Sequence, residues 1–377
     1  MSVNELKKIL LNGKKLYLEP IEIESIFPLY NNLIESFAQN EVRLNPPELI
    51  VYSSYNKEVL TKHMSSDNGE ISASYLLFDT HLLEILGEFT EAFLSVHYAD
   101  LLSHKLVFKL FAEDMYVSDK LHEALHFAYQ YRASKSVVAL SQERLTVMAR
   151  HLLIQEAFVL SHEICHWYFF RCNEVERNKH LEYKRDLWIQ YLDILLEKRR
   201  HKGDVKGITM LSEMKQYVKV NDDIVEEVTC DTFAAIYLTE YYSGVEDYSK
   251  VDIAVSSFLC IQNMQLLSFI AHDLVNGTKK ISTSDHLMFK ITLRMILFKH
   301  HIQVYFDNYE KEIVQQFNEE INRCKEIYNE RVLSPFIVGI DQAKIESAQL
   351  SLLSRVTFLD DDYCVIGKLI RDLLEEQ

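Results

Sequence analysis

The sequence predicts a mostly α-helical protein of the α+β kind, in which a small β-sheet precedes a long helical body. Three observations carry this. The 377 residues include only nine glycines and five prolines, well below the usual ~7% and ~5%. Four prolines, Pro20, Pro28, Pro46 and Pro47, fall at the start of the chain, and none lies between Pro47 and Pro335. The apolar pattern also changes period, from β-branched and aromatic runs early on to three- and four-residue spacing later. A stretch so poor in turn and bulge residues excludes an all-β or glycine-rich loop architecture. Hydrophobic content of 48% excludes a disordered chain, and the length allows a sizeable core.

Taken in order, Lys15–Glu19, Leu49–Ser54 and Ala73–Phe78 read as strands, the last two separated by polar, turn-prone sequence. From about Asp79 the period is helical. His81–His97 and Ser118–Ala133 carry apolar residues at helical spacing, and Arg144–Phe170 is a long, strongly apolar helix. Leu181–Arg200 is amphipathic and ends in Lys198, Arg199 and Arg200, followed by Gly203 and Gly207. Positive charge on a last turn, then glycine, is an ordinary helix stop and is preferred to a nucleic-acid patch. Helices are expected at Asp222–Tyr241, Asp252–Val275 and Asp285–His300. Tyr309, Ile313, Phe317, Ile321, Cys324 and Tyr328 then form one stripe, as on a helix packing by one face; helix 309–328 is also a candidate place for a partner to dock. Pro335 and Gly339 punctuate the chain before a last helical piece. This divides the chain into an α/β part with the sheet and leading helices (1–142), a helical core (143–300) and a C-terminal helical segment (301–377).

Charge and cysteines narrow the setting. With 56 acidic against 40 basic residues and a net charge of −16, neither nucleic acid nor an anionic membrane is expected as the main partner. Ile253–Ala271 carries no charge and approaches the ~20 residues of a membrane span, but Gln262, Asn263 and Gln265 sit near its middle. Such groups are costly in hydrocarbon, so a buried core helix is expected and no membrane insertion. The N-terminus lacks the apolar run of a signal peptide. Cys165, Cys172, Cys230, Cys260, Cys324 and Cys364 are scattered without CxxC pairs, which fits reduced thiols and a cytoplasmic location.

The chemistry concentrates in Ser161-His162-Glu163-Ile164-Cys165-His166-Trp167. His162 and His166 are one helical turn apart, so both imidazoles leave the same face and can chelate one zinc ion. Glu163 is placed to take a proton from water at that ion. Composition alone produces HExxH roughly once in twenty chains of this size, so the motif needs company. Polar groups in the middle of an apolar helix are costly unless satisfied; a metal satisfies them, and a hydrogen-bonded core histidine pair is the plain alternative. A histidine-rich continuation is absent, since Phe169 and Cys172 stand where Gly and His would be needed. Downstream, Glu227 and Asp231 lie one turn apart on a predicted helix. Glu227 can supply a carboxylate oxygen to the metal, and Asp231 can accept a hydrogen bond from the free N–H of a ligand histidine. The apolar run after them marks this helix as buried rather than as a solvated acidic face.

HExxH on one helix with Glu-x-x-x-Asp on a later one resembles the gluzincin branch of zinc metallopeptidases. Glu227-Val228-Thr229-Cys230-Asp231-Thr232-Phe233-Ala234 is similar to the corresponding stretch of HtpX-type and ImmA/IrrE-type peptidases. The resemblance implies a zincin-like helical core behind a small sheet, a zinc cofactor on His162, His166 and Glu227, Glu163 as catalytic base and Asp231 behind a ligand. It implies hydrolysis of peptide bonds in an intracellular protein, a setting that includes stress and phage defence. HtpX-type enzymes also carry a later His-Pro and Arg. Here Ser284-Asp285-His286-Leu287 and Arg294 follow, so His286 or Arg294 is a candidate for holding the oxyanion, with Asp285 simply capping its helix as the alternative. Cys165 and Cys230, each beside a site residue, invite a redox role, although buried cysteines are commonly core. A non-catalytic regulatory or scaffold protein, with structural or vestigial zinc, is the reading from another class. No phosphate loop and no Gly-x-Ser-x-Gly occurs.

Overall fold

The computed structural model describes residues 9–12, 14–18, 26–38, 45–65, 71–134, 140–171, 174–243, 245, 248–270, 283–309, 311–353 and 360–375. A small sheet precedes a helical core. Strands β1 (Leu16–Leu18), β2 (Glu48–Ser54), β3 (Val59–Ser65) and β4 (Ile71–Asp79) pair in the order β1-β2-β4-β3. β2 and β4 run parallel, while β3 returns antiparallel to β4 and leaves its other edge free within the sheet. The sheet shows the period of two: Leu49, Val51, Leu76 and Phe78 join the main core, whereas Ile50, Tyr52, Tyr75 and Leu77 pack with Leu10 on the opposite face. Burial on both faces explains why β2 and β4 read as nearly continuous apolar runs. β3, with Lys62 and His63 in its middle, carried no such signal.

The helices are α1 (Ile26–Ala38), α2 (Thr80–Leu94), α3 (Ala99–Val117), α4 (Leu121–Ala133), α5 (Gln142–Arg171), α6 (Glu174–His201), α7 (Val205–Val220), α8 (Asp222–Tyr241), α9 (Lys250–Ser268), α10 (Thr283–Tyr309), α11 (Lys311–Tyr328), α12 (Ser334–Leu353) and α13 (Asp360–Glu375). A short π-helical stretch, Asn329–Leu333, joins α11 to α12. Pro28 sits in a first turn, where the missing N–H would have no helical partner anyway, whereas Pro335 follows directly on the π-helical stretch and the Arg331 carbonyl one turn back accepts from Ser103 Oγ at 2.8 Å.

Several boundaries follow from local chemistry. Asp79 caps α2 by accepting from the His81 N–H, and also receives Ser54 N–H at 2.9 Å, tying β2 to the start of the helix. α6 stops at Gly203, whose φ of +66° is the left-handed conformation glycine adopts most easily. Gly207, expected as part of the same stop, instead lies in the first turn of α7, where its N–H donates to the capping Asp204 at 3.0 Å. α7 ends at Asn221, whose side chain accepts from Ile224 N–H and so opens α8. Asp222 and Asp223 on that first turn suit the positive end of the helix dipole. The apolar stripe of α11 faces inward: Phe317, Ile321, Cys324 and Tyr328 are buried in the main core. α12 approaches α3 closely enough that a Cβ on Gly339 would come within 3.1 Å of Val107.

α9 contains the uncharged segment, and several of its polar residues are satisfied by protein, whereas the buried Gln262 amide has no hydrogen-bond partner among the described residues. Ser256 and Ser257 donate to carbonyls one turn back, His151 lies 2.8 Å from Ser256 Oγ, and Asn263 accepts from Tyr328 OH at 2.9 Å. Among the described residues no helix is long and apolar enough to cross a membrane. The main core draws on side chains from Ile26 to Leu374, and a second cluster, centred on Trp188, joins α6, α7, α8 and α10.

Candidate metal centre

α5 is 30 residues long, and its second half is buried by Phe158, Leu160, Ile164 and Trp167. That packing leaves His162 and His166 together on the face toward α8. The two imidazoles meet Nε2 to Nε2 at 3.1 Å. α8 brings Glu227 to the same point, its Oε2 3.6 Å from His162 Nε2 and its Oε1 3.3 Å from His166 Nε2. Zinc–nitrogen and zinc–oxygen bonds of ~2.0–2.2 Å put the ligand atoms of a tetrahedral ion ~3.3–3.5 Å apart, and the separations here, taken to the two oxygens of Glu227, are close to that range. Among the described residues this is the group of three that could hold a metal, all of its donor atoms lying within 4.8 Å of one another.

Carboxylates also stand beside the outer nitrogens. His162 Nδ1 lies 3.1 Å from Asp231 Oδ1, within ion-pair distance but not aligned as a hydrogen bond. Asp231 is gripped by Arg294 of α10, through Nε at 2.9 Å and a terminal guanidinium nitrogen at 2.7 Å. The same guanidinium is 3.4 Å from Glu227 Oε2. His166 Nδ1 lies 3.0 Å from Glu226 Oε1, and Arg177 of α6 holds the other oxygen of Glu226. Each imidazole therefore has one nitrogen beside a carboxylate and the other at the shared point; for His166 the hydrogen bond to Glu226 is of the kind that fixes tautomer and ring orientation at metal sites.

Electrostatics favour positive charge where the donors meet. Burial would lower the pKa of His166, but hydrogen bonds with Cys230, Glu226 and Glu227 raise it. Burial would raise Glu227, but the hydrogen bond to His166 and the charge of Arg294 hold it well below the ordinary carboxylate range. Glu163, one residue from His162, goes the other way: burial raises its pKa despite the neighbouring histidines. Thr61 of β3 spans the gap to α5, its hydroxyl donating to the Glu163 carbonyl at 3.2 Å and lying 3.4 Å from Glu163 Oε2.

His162, Glu163, Glu227, Asp231 and Arg294 line one cleft of about 520 Å³, with Phe158, Ile261, Met264 and Phe269 as apolar wall and Tyr217 of α7 among its polar groups. The structure thus brings together His162, His166, Glu163, Glu227 and Asp231 as expected. Arg294, one of two oxyanion candidates, is committed to Asp231 and Glu227. The other, His286, sits on the first turn of α10, with its side chain outside the described residues. Sequence reasoning missed Glu226, Arg177, Thr61 and Tyr217. Glu226 could have been found, since it adjoins Glu227, but neighbours on a helix point ~100° apart and only the packing shows that both turn toward α5. Cys165 and Cys230 are buried and free, packed with Phe169 behind the histidines. Compared with protein-family models, with curated proteins and with solved structures, the chain finds no match.

Proposed function

We propose that the chain is a zinc-dependent metallopeptidase of gluzincin type, hydrolysing peptide bonds of an intracellular protein. The observation that carries this is the convergence of His162, His166 and Glu227, with nearest atoms 3.1–3.6 Å apart and a carboxylate beside the outer nitrogen of each histidine. When bound, the ion supplies a Lewis acid that polarises a carbonyl and acidifies water. Asp231 and Glu226 orient the two imidazoles. Glu163, in the same cleft, accepts the proton of the attacking water and passes it to the leaving amine. The free edge of β3 runs beside α5, and an extended peptide can pair with such an edge through its own backbone. Tyr217 is the candidate donor to the developing oxyanion. The buried thiols of Cys165, Cys230, Cys260 and Cys324 suit a reducing compartment.

The test uses the full chain and its Glu163→Gln variant. Both should carry stoichiometric zinc by elemental analysis, and the variant should lose ~10²–10⁴-fold in cleavage rate, read by mapping new protein N-termini after expression of each. Zinc retained with equal cleavage in both would remove Glu163 from the mechanism. Stoichiometric zinc with no cleavage by either would favour a non-catalytic scaffold.

A further inference from the structure

α8 has a second working face. Turned away from the cleft, it walls a cavity of about 820 Å³ formed with α1, α5, α6 and α10. This cavity shares no lining residue with the cleft lined by His162 and Glu163. Its size falls within the ~300–1,000 Å³ typical of small-molecule sites.

The lining has an apolar length and a basic end. Phe233, Tyr237 and Tyr241 recur every fourth residue along α8, with Tyr168 of α5 also on the wall. The rings of Phe233 and Tyr237 are nearly parallel, with an interplanar angle of 3° and centroids 5.9 Å apart. Such a run of flat faces suits an apolar or aromatic body. The basic side chains are Arg177, His180 and Lys184 of α6 and His301 of α10. Arg177 is already paired with Glu226. Lys184 Nζ lies 3.1 Å from His301 Nε2 and, among the described residues, has no carboxylate within ion-pair distance. Burial lowers its pKa, the sign of an ammonium short of solvation. The cavity's own acids, Glu176 and Glu240, are exposed, and Glu240 accepts from Tyr305 OH.

We propose that this cavity binds a small monocarboxylate on an apolar body, with its carboxylate on Lys184 and its body along the aromatic face of α8. A neutral ligand would leave the Lys184 ammonium without a counter-charge, and a dianion would need a second uncommitted cation, which Arg177 is not. The inference involves no metal, so it stands or falls apart from the peptidase reading.

The experiment is calorimetric titration of the full chain with sodium dodecanoate below its micelle concentration, beside dodecan-1-ol, which has the same tail and no charge. Dodecanoate should bind at one site per chain and at least ~10-fold more tightly than the alcohol, as expected for a hydrogen bond to a charged group. Lys184→Met should remove that preference while leaving affinity for the alcohol unchanged. Equal affinity for the two probes, no binding of dodecanoate up to millimolar concentration, or an unaltered preference in Lys184→Met would each overturn the proposal. Should Lys184→Met fail to fold by circular dichroism, the ratio of the two probes on the wild-type chain decides.

Discussion

Two clusters in this fold are built from the same residue types, basic side chains, histidine and carboxylates, yet they differ in where their polar atoms point. In the first, Lys57 Nζ reaches Asp114 at 2.7 Å, Glu113 at 3.2 Å and the Tyr55 carbonyl at 2.7 Å. His81 lies between Glu113 and Glu84, 2.9 Å from each, and Lys109 pairs with Glu88. His81 and Glu113 have fully buried side chains. This network ties the β2–β3 turn to α2 and α3, and its ammonium contacts hold Lys57 in a left-handed backbone conformation, φ 54°. Every charge there has its counter-charge, and nothing is left to offer a ligand. In the second, around His162 and His166, two ring nitrogens and a carboxylate face one another across 3.1–3.6 Å. That cluster is half open, and its carboxylates hold the donors from behind. Convergence of donors, rather than the presence of buried charge, sets the candidate metal centre apart.

The largest effect should come from breaking the closed network. Glu113→Ala takes from His81 its fully buried carboxylate partner and from Lys57 one of its two, and removal of one partner from a buried pair costs ~3–5 kcal/mol. Urea unfolding of this variant beside His162→Ala is the comparison to make, because the half-open cluster should lose much less stability. Equal losses would erase the distinction between the two regions.

Next comes pH. Burial alone would lower the pKa of His81, but the Glu113 carboxylate more than reverses this and raises it from 6.5 to about 9. The stabilisation is therefore complete below ~6.5 and lost as pH rises through ~9. Glu113, which burial alone would raise, is brought down to about 2 by His81 and Lys57, so its contribution is complete above 4.5 and lost as pH falls toward 2. Chemical unfolding across pH 6–10 should show a decline of at most ~3 kcal/mol that is absent from His81→Gln. A flat profile in the wild-type chain would mean that His81 is not protonated in the fold.

A smaller effect sharpens the other side. Glu226→Gln keeps the shape but weakens the grip on His166, and loss of such an outer partner typically lowers metal affinity ~10–100-fold. Competition with a zinc chelator measures it, with unfolding free energy nearly unchanged; an unaltered affinity would show that Glu226 serves Arg177 alone. Smallest, and outside both clusters, is Gly203→Ala. A Cβ there meets nothing within 4 Å, so only the positive φ is penalised, by ~1–2 kcal/mol in the same urea experiment.

The helical body, the sheet ahead of it and the donors on α5 and α8 were legible because each is carried by local sequence. Proline-free periodicity marks helices, and a histidine pair one turn apart states its own geometry. What stayed hidden is non-local. α3 buries Lys105, Lys109, Glu113 and Asp114 along with its apolar residues, so it has no polar face to set its period. β3 carries little β-branched character, and its place at the sheet edge depends on pairing with β4. Arg177 meets Glu226 across 49 residues of sequence, and no spacing rule reaches that far.

That same reach governs when the donor cluster comes into being. His166 and Glu226 are 60 residues apart, and Asp231 and Arg294 are 63 apart. Closing loops of that length costs chain entropy that only the packed core recovers. A nascent or truncated chain ending before α10 would carry HExxH on α5 and yet lack the guanidinium that holds Asp231 and Glu227. Full support of the donors thus requires α10 in place, and any ion that binds the finished fold selectively would stabilise it by mass action. Metal uptake would then serve as a clock for the completion of the chain's tertiary structure.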